Sequence, residues 1–283
     1  MMANLGMIRW SAVLALALVL PLLGACSSSA PRLRGAVDST DVNGFQIASL
    51  HNPQLGASTQ LVLAVAAPST PAETRFVRVW MLERFDRHSS WTVVHGPFAG
   101  AVGANGFAPP GEKREGDKRT PSGIYTITEL FGSDAAFKPR LPYKIATEND
   151  AWCEDPTSPH YNQWISGEEA KKANDRLARN DDLYIHAAVI DYNRWPVVPG
   201  AGSAIFMHKA DPAGAGTLGC VGLEQGPLDT ILLRLDPAKT PLIMMGTLDV
   251  LKNADSGFQA PPKPPTTPIA PPAATPAATP TKS

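Results

Sequence analysis

The sequence has 283 residues, 43% of them hydrophobic, and its 25 basic and 26 acidic side chains leave a formal net charge of −1. That is long enough for one large or two small domains, and apolar enough to bury a core. A balanced charge excludes a protein held to nucleic acid by a broad basic field, so no nucleic-acid partner is expected.

In chain order, the first signal is at the N-terminus. Arg9 precedes an uncharged run, Trp10 to Leu23, that ends in Leu23-Gly24-Ala25-Cys26. Small residues ahead of a cleavage point are what a signal peptidase requires, so residues 1–25 read as an export signal. A cysteine directly after them resembles the bacterial lipobox. The resemblance implies diacylglyceryl transfer to the Cys26 sulfur and a membrane anchor, stable at about 0.8 kcal/mol per buried methylene. Two plainer readings compete: an ordinary cleaved signal with Cys26 incidental, and a transmembrane anchor, since the uncharged stretch from Trp10 to Ala30 approaches spanning length. Lipidation would place the protein on the periplasmic face of a bacterial membrane or elsewhere in the cell envelope. With Ser27 after the cysteine and no acidic retention signal, the outer membrane is expected where there are two. Residues 26–57, with weak periodicity and many small or polar side chains, read as a tether.

Residues 58–252 carry the folded domain. Leu61 to Ala67 is an apolar run of strand length, and Arg75 to Phe85 alternates well enough for a half-buried strand. Trp91 to His95 is a further short strand, after which Gly96-Pro97 reads as a turn. Strand patterns recur at Gly123–Thr128, Leu183–Ile190, Ala204–His208 and Leu242–Met245. Two helices are expected. Ser166-Gly-Glu-Glu169 has capping-box spacing before a stretch rich in helix formers, Glu168 to Arg179, polar nearly all round and so superficial. The second begins near Pro227 and puts Leu228, Ile231, Leu232 and Leu235 on one face to pack on the sheet. The fold class is therefore mainly β with a few helices, an α+β domain. Residues 253–283 hold nine prolines beyond Ala260 and cannot build a core, so they read as a disordered tail.

The chemistry concentrates between Gly202 and Gly222. A strand ends in His208, an eleven-residue glycine-rich loop follows, and it closes on Gly219-Cys220. A cysteine attacks a carbonyl as its thiolate, and a nearby imidazole can take the proton. A glycine ahead of the nucleophile allows a sharp backbone turn whose N–H groups can face a developing oxyanion. Taken alone, the pair reads equally as a small buried hydrophobe and a satisfied strand histidine.

Three segments in order break that tie. Thr217-Leu218-Gly219-Cys220 after His208 is one, Gly116-Asp-Lys-Arg-Thr-Pro-Ser-Gly123-Ile-Tyr125 is the second, and Tyr192-Asn193 followed by Val198 to Phe206 is the third. Together they resemble the YkuD-type L,D-transpeptidase family over roughly residues 60–247. The resemblance implies a mixed β-sandwich catalytic domain and a peptidoglycan enzyme acting on stem tetrapeptides through a thioacyl intermediate. It makes Cys220 the nucleophile and His208 the general base and acid. Gly219, Thr217 and Lys209 would serve through the nucleophile loop and main chain, with Gly219 and Cys220 N–H groups as oxyanion donors and the Lys209 carbonyl orienting the imidazole. It implies no metal or cofactor, and carbapenems as covalent inhibitors. The same residues could instead hydrolyse the thioacyl intermediate as an L,D-carboxypeptidase, and a non-catalytic wall-binding lipoprotein is the third reading. This chain departs from the pattern at Lys209, where many members have glycine, and at Gly222, where many carry an arginine associated with the substrate carboxylate.

Tyr192, His186 and Arg119 are weaker candidates for substrate contact. His186 reads equally as a satisfied strand residue, and Gly116 to Pro121, which holds Arg119, also reads as a turn. His95 and Cys153 lie outside any motif and read as structural. No Cys/His pair has zinc-ligand spacing. Trp80, Trp91, Trp152, Trp164 and Trp195 read as core or edge packing in preference to a sugar platform.

Overall fold

The computed structural model describes residues 52–66, 75–212 and 214–252, together with the backbone of 41–42 and 45–46. The export signal, Cys26 and the proline-rich tail lie outside the described residues. Nine strands form the main sheet: β1 (Gln60–Ala66), β2 (Phe76–Glu83), β3 (Thr92–Ala101), β4 (Gly123–Gly132), β5 (Tyr143–Ile145), β6 (Ala187–Ile190), β7 (Phe206–Lys209), β8 (Val221–Leu223) and β9 (Leu242–Thr247). Two α-helices accompany them, α1 (Gln225–Leu232) and α2 (Leu248–Lys252).

The ladder runs β6-β7-β8-β3-β2-β1-β9-β4-β5, and β6 pairs back onto β4. Eight strands are thereby joined in a ring, with β5 attached to β4 beside it. The sheet is barrel-like. Where the family resemblance implied a sandwich, the pairing gives one sheet closed on itself and does not separate two layers. Closure removes the free strand edges that would otherwise invite mispairing.

Alternation explains how one sheet serves two cores. In β1 every residue is buried, because Val62, Ala64 and Ala66 face one cluster while Leu61, Leu63 and Val65 face another. Strand β2 repeats the split, with Val77, Val79 and Met81 on one side and Trp80 and Leu82 on the other. The first cluster is capped by Leu228, Ile231 and Leu232 of α1, and by Leu235 just past its end. Each such side chain contributes roughly 1.5–3 kcal/mol on burial, before the entropy cost of ordering it. The second cluster is closed by Leu248 and Leu251 of α2 and by Leu55, which lies within the expected tether yet is buried.

Three local expectations are corrected. Glu168 to Arg179 is no α-helix. It holds a 3-10 turn at Ala170–Lys172, then a two-residue strand, Asp175–Arg176, paired with Ala151 and Trp152. Helix-forming composition without an apolar face gave nothing to bury as a helix, and the ladder to β-paired residues won. Gly96-Pro97 does not end its strand either. β3 runs through to Ala101, and the pair sits at a register shift opposite Val79 to Met81, absorbed as a bulge. Finally, only Ala187–Ile190 of the stretch from Leu183 pairs as a strand.

Candidate active site

The barrel topology brings His208 and Cys220 together. Strands β7 and β8 are parallel neighbours, with Met207 opposite Val221 and His208 opposite Gly222. Residues opposite one another in a ladder share a face, so Phe206, His208, Cys220 and Gly222 all lie on the same side. Met207, Val221 and Leu223 point the other way, into the first core cluster. Cys220 and His208 are thus a diagonal pair on adjacent strands.

The turn that delivers Cys220 is held by hydroxyls. Thr217 Oγ1 accepts from the Gly219 N–H at 3.1 Å and donates to the Cys220 carbonyl at 2.7 Å. Thr120 Oγ1 reaches the same carbonyl at 3.4 Å while accepting from the Gly103 N–H at 2.8 Å. This places the upstream Gly116–Tyr125 motif in physical contact with the Cys220 turn. Gly219 has a φ of +150°, and a Cβ there would stand 3.0 Å from the Arg119 carbonyl oxygen and 3.1 Å from Ile205 Cδ1. A side chain at 219 would therefore push the turn off the Arg119 main chain.

His208 is 4% exposed and Cys220 6%. The imidazole Nδ1 lies 2.7 Å from the Lys209 carbonyl oxygen. A carbonyl only accepts, so Nδ1 carries the hydrogen and Nε2 is left as the basic nitrogen. Burial pushes the His208 pKa down to about 4, with the Lys209 carbonyl opposing that shift. Burial likewise pushes the Cys220 thiol up to about 12. The Phe206 N–H, 3.4 Å from Sγ, and the Lys113 ammonium favour its thiolate, while Asp175 and Glu154 oppose it. The thiol hydrogen is directed to the Ala204 carbonyl at 3.2 Å. Both groups are therefore neutral, and ionising either alone in this enclosure is costly.

The enclosure comes from the segment between β5 and β6. Its residues Ala146, Trp152, Leu177 and Tyr184 pack with Phe131, Phe206 and Cys220 in one cluster. Trp152 and Tyr184 meet Phe206 edge-on at 5.0 and 5.7 Å, and Tyr184 meets the His208 ring edge-on at 5.2 Å. Around this roof lie two carboxyls driven toward neutrality by burial, Asp175 to about 6 and Glu154 to about 7. The Tyr184 hydroxyl donates to Asp175 at 3.3 Å.

The remaining sequence candidates are placed as follows. Tyr192 is buried in the first core cluster and donates to the Ala201 carbonyl at 2.7 Å, away from the thiol's cluster. His186 lies just before β6, next to Ala187, which pairs with His208, but its two ring nitrogens face Asp229 and Asp134. Arg119 contributes its main chain, with its N–H donating to Asp117 at 2.8 Å and its carbonyl facing Gly219. Cys153 and Cys220 are both free thiols.

The family profile of the YkuD L,D-transpeptidase catalytic domain matches residues 73–244. The chain belongs to this family. No curated protein and no solved structure matches it. The YkuD match spans β2 to β9 and includes both His208 and Cys220.

Within this YkuD domain the departure at position 222 has a steric cause. A Cβ on Gly222 would come within 2.4 Å of the Ala210 Cβ, so no arginine fits there with the backbone as it stands. A different cation lies beside the Cys220 turn. Lys113 is 3% exposed, its Nζ bonds Asp117 at 2.7 Å and the Arg114 carbonyl at 2.6 Å, and its stem packs on Gly202 and toward Gly219. Asp117 also accepts from the Arg114 N–H at 2.8 Å. Sequence reading missed Lys113, because a lysine within Gly-Glu-Lys-Arg-Glu-Gly carries the signature of a solvated loop. Tyr184, Asp175 and Glu154 were equally invisible, since only the fold brings them to the thiol.

Proposed function

We propose that this YkuD-family chain is a cysteine-dependent peptidoglycan transpeptidase acting on stem tetrapeptides, tethered to the envelope through lipidated Cys26. The observation that carries the reading is the diagonal pair of Cys220 and a tautomer-fixed His208 on one face of β7 and β8.

With both groups neutral at rest, proton transfer accompanies attack. The Sγ–H proton moves to Nε2 of His208 as the Sγ–C bond forms at the carbonyl between the third, L-configured centre and the terminal D-residue. The C–N bond then breaks, the imidazolium gives its proton to the leaving amine, and a thioester remains on Cys220. The amine of a second stem attacks the thioester and passes its proton back through His208 to the thiol, leaving a cross-link. Water in place of that amine gives hydrolysis. The Gly219 N–H is already used by Thr217, so we assign the Cys220 N–H as the oxyanion donor. A stem peptide reaches Sγ once the Trp152 and Tyr184 roof has moved aside, an opening of the kind that often limits turnover.

The test is intact mass after incubating the full-length chain with meropenem, beside Cys220→Ala. A one-to-one adduct absent from the variant is expected. A folded, reduced protein that takes up no adduct would sink the reading. Product analysis on a disaccharide-tetrapeptide then separates the two fates: cross-linked dimers mark transfer, and released D-amino acid without dimers marks hydrolysis.

A further inference from the structure

Next to Trp152 lies a cleft of about 340 Å³ lined by Glu129, Asn162, Gln163, Trp164, Arg194 and Trp195. Trp195 is 72% exposed, unusual for so large an apolar ring. The loop that carries it is tied down. Asn193 Nδ2 donates to the Val198 and Gly202 carbonyls at 3.0 and 2.8 Å, and Asn162 Nδ2 donates to the Tyr192 and Asn193 carbonyls at 3.0 and 2.8 Å. Arg194 lies over one side of the Trp195 ring, 4.6 Å from its centre, and its guanidinium also reaches the Trp152 ring at 5.2 Å. The other indole face is left to solvent, held open at the rim of a cleft by a fixed backbone. An exposed aromatic maintained in this way marks a recognition surface.

Charge narrows the ligand. Arg194 is neutralised by Glu129 at 2.6 Å, with Asp191 at 3.4 Å. Trp164 is held in place from outside the cleft, with Lys144 over its ring at 3.7 Å and its N–H donating to Asp150 at 3.0 Å. The charged residues that line the cleft, Glu129 and Arg194, are paired with one another, so it offers little net attraction to a polyanion or a polycation. What it offers is a flat apolar face beside a carboxylate and the exposed amide of Gln163. That combination suits a pyranose, whose axial C–H face stacks on an indole while its hydroxyls hydrogen-bond to planar polar groups.

The cleft is also coupled to the thiol's wall. Asn162 Oδ1, at its floor, accepts from the Trp152 N–H at 2.9 Å and from the Ala204 N–H at 3.1 Å, and the Ala204 carbonyl accepts the Cys220 S–H. Asn162 thus links the floor of the cleft to the residue that accepts the Cys220 S–H. We propose that the Trp164–Trp195 cleft is a subsite for uncharged pyranose units, the glycan strand that carries the stem peptide to Cys220. This rests on the transpeptidase reading for the identity of the strand.

The experiment is saturation-transfer NMR with the full-length chain and chitotetraose, beside Trp195→Ala and Trp195→Phe. The wild type should bind, Trp195→Ala should weaken binding at least tenfold, and Trp195→Phe should retain part of it. All three should still form the meropenem adduct, which shows that they are folded at the thiol. Three results would overturn the subsite. They are no saturation transfer from a protein that is acylated normally, binding unchanged in Trp195→Ala, or Trp195-dependent binding of a sugar-free stem peptide in place of the saccharide. Sugar binding that depends on Trp195 in a protein that never acylates would leave the subsite standing and remove the transpeptidase reading instead.

Discussion

Two buried histidines sit near the strand pair that closes the barrel, and their surroundings are opposite. His208, on β7, has one carbonyl on Nδ1, the edge of Tyr184 beside it and, among the described residues, no carboxylate bonded to either nitrogen. His186, one residue before β6, has Asp229 2.6 Å from Nδ1 and Asp134 3.2 Å from Nε2, with Phe137 stacked on its ring at 3.8 Å. A general base needs one nitrogen fixed and the other free, which describes His208. A ring with a carboxylate at each nitrogen has no free position, and it ties α1 to the loop after β4. On the proposed reading, the same residue type, equally buried, is a chemical group in one region and a clasp in the other.

The largest expected effect comes from removing the free nitrogen. His208→Gln should slow meropenem acylation of Cys220 by about 10²–10⁴-fold, the range for losing a positioned acid–base group, measured as the rate of adduct formation by mass spectrometry. Its effect on stability has a sign. The His208 pKa falls from 6.5 to about 4 on folding, so the unfolded chain binds the proton more tightly. The stability it confers is fully present above about pH 6.5 and is lost as pH falls toward 4, at most roughly 3 kcal/mol. Asp175 and Glu154, whose pKa values rise on folding, favour the folded state as pH falls through their own range. The difference between wild-type and His208→Gln denaturation curves across pH 7 to 4 isolates the histidine. A pH-independent difference would mean that the ring is not buried neutral.

A smaller effect tests the turn in place of the base. Thr217→Val keeps shape but leaves the Gly219 N–H and part of the Cys220 carbonyl without their hydroxyl partner. Stability should fall by about 1–3 kcal/mol, with slower acylation as the nucleophile loses its fixed position. Full acylation rate at reduced stability would show that the turn holds Cys220 by its glycine geometry alone.

How much of this was legible beforehand depends on how local the cause is. The order of His208, Thr217 and Gly219-Cys220 is written along the chain, because a parallel strand pair and its crossover loop bring them together with little outside help. The alternation of β1 and β2 is equally local. The roof was not legible, since Trp152 and Asp175 are brought together by a short ladder, Asp175 lay in a stretch that composition assigned to a helix, and Tyr184 was read as part of a strand. Lys113 was hidden for the same reason. Its burial follows from the close approach of Gly202 and Gly219, and nothing in its neighbours along the chain announces a buried ammonium. Trp195 ran the other way, since an aromatic is expected inside and this one is held outside.

The smallest effect is on the clasp, and it sharpens the comparison most directly. Asp229→Asn retains a hydrogen-bonding group beside His186 Nδ1 but removes the charge, and it also alters the bond that Gln225 Nε2 makes to Asp229 at 2.7 Å. Because Asp229 is partly exposed at 29%, solvent screens the pair, and the loss should be about 1 kcal/mol. The meropenem acylation rate should not change, because α1 packs on the far cluster while Cys220 belongs to the roofed one. A variant as stable as wild type would make the carboxylate idle. Slowed acylation with the fold intact would mean that the two histidine regions communicate through β6 and β7, and the division between chemical group and clasp would have to be redrawn with Asp229 as a positioning residue for the dyad.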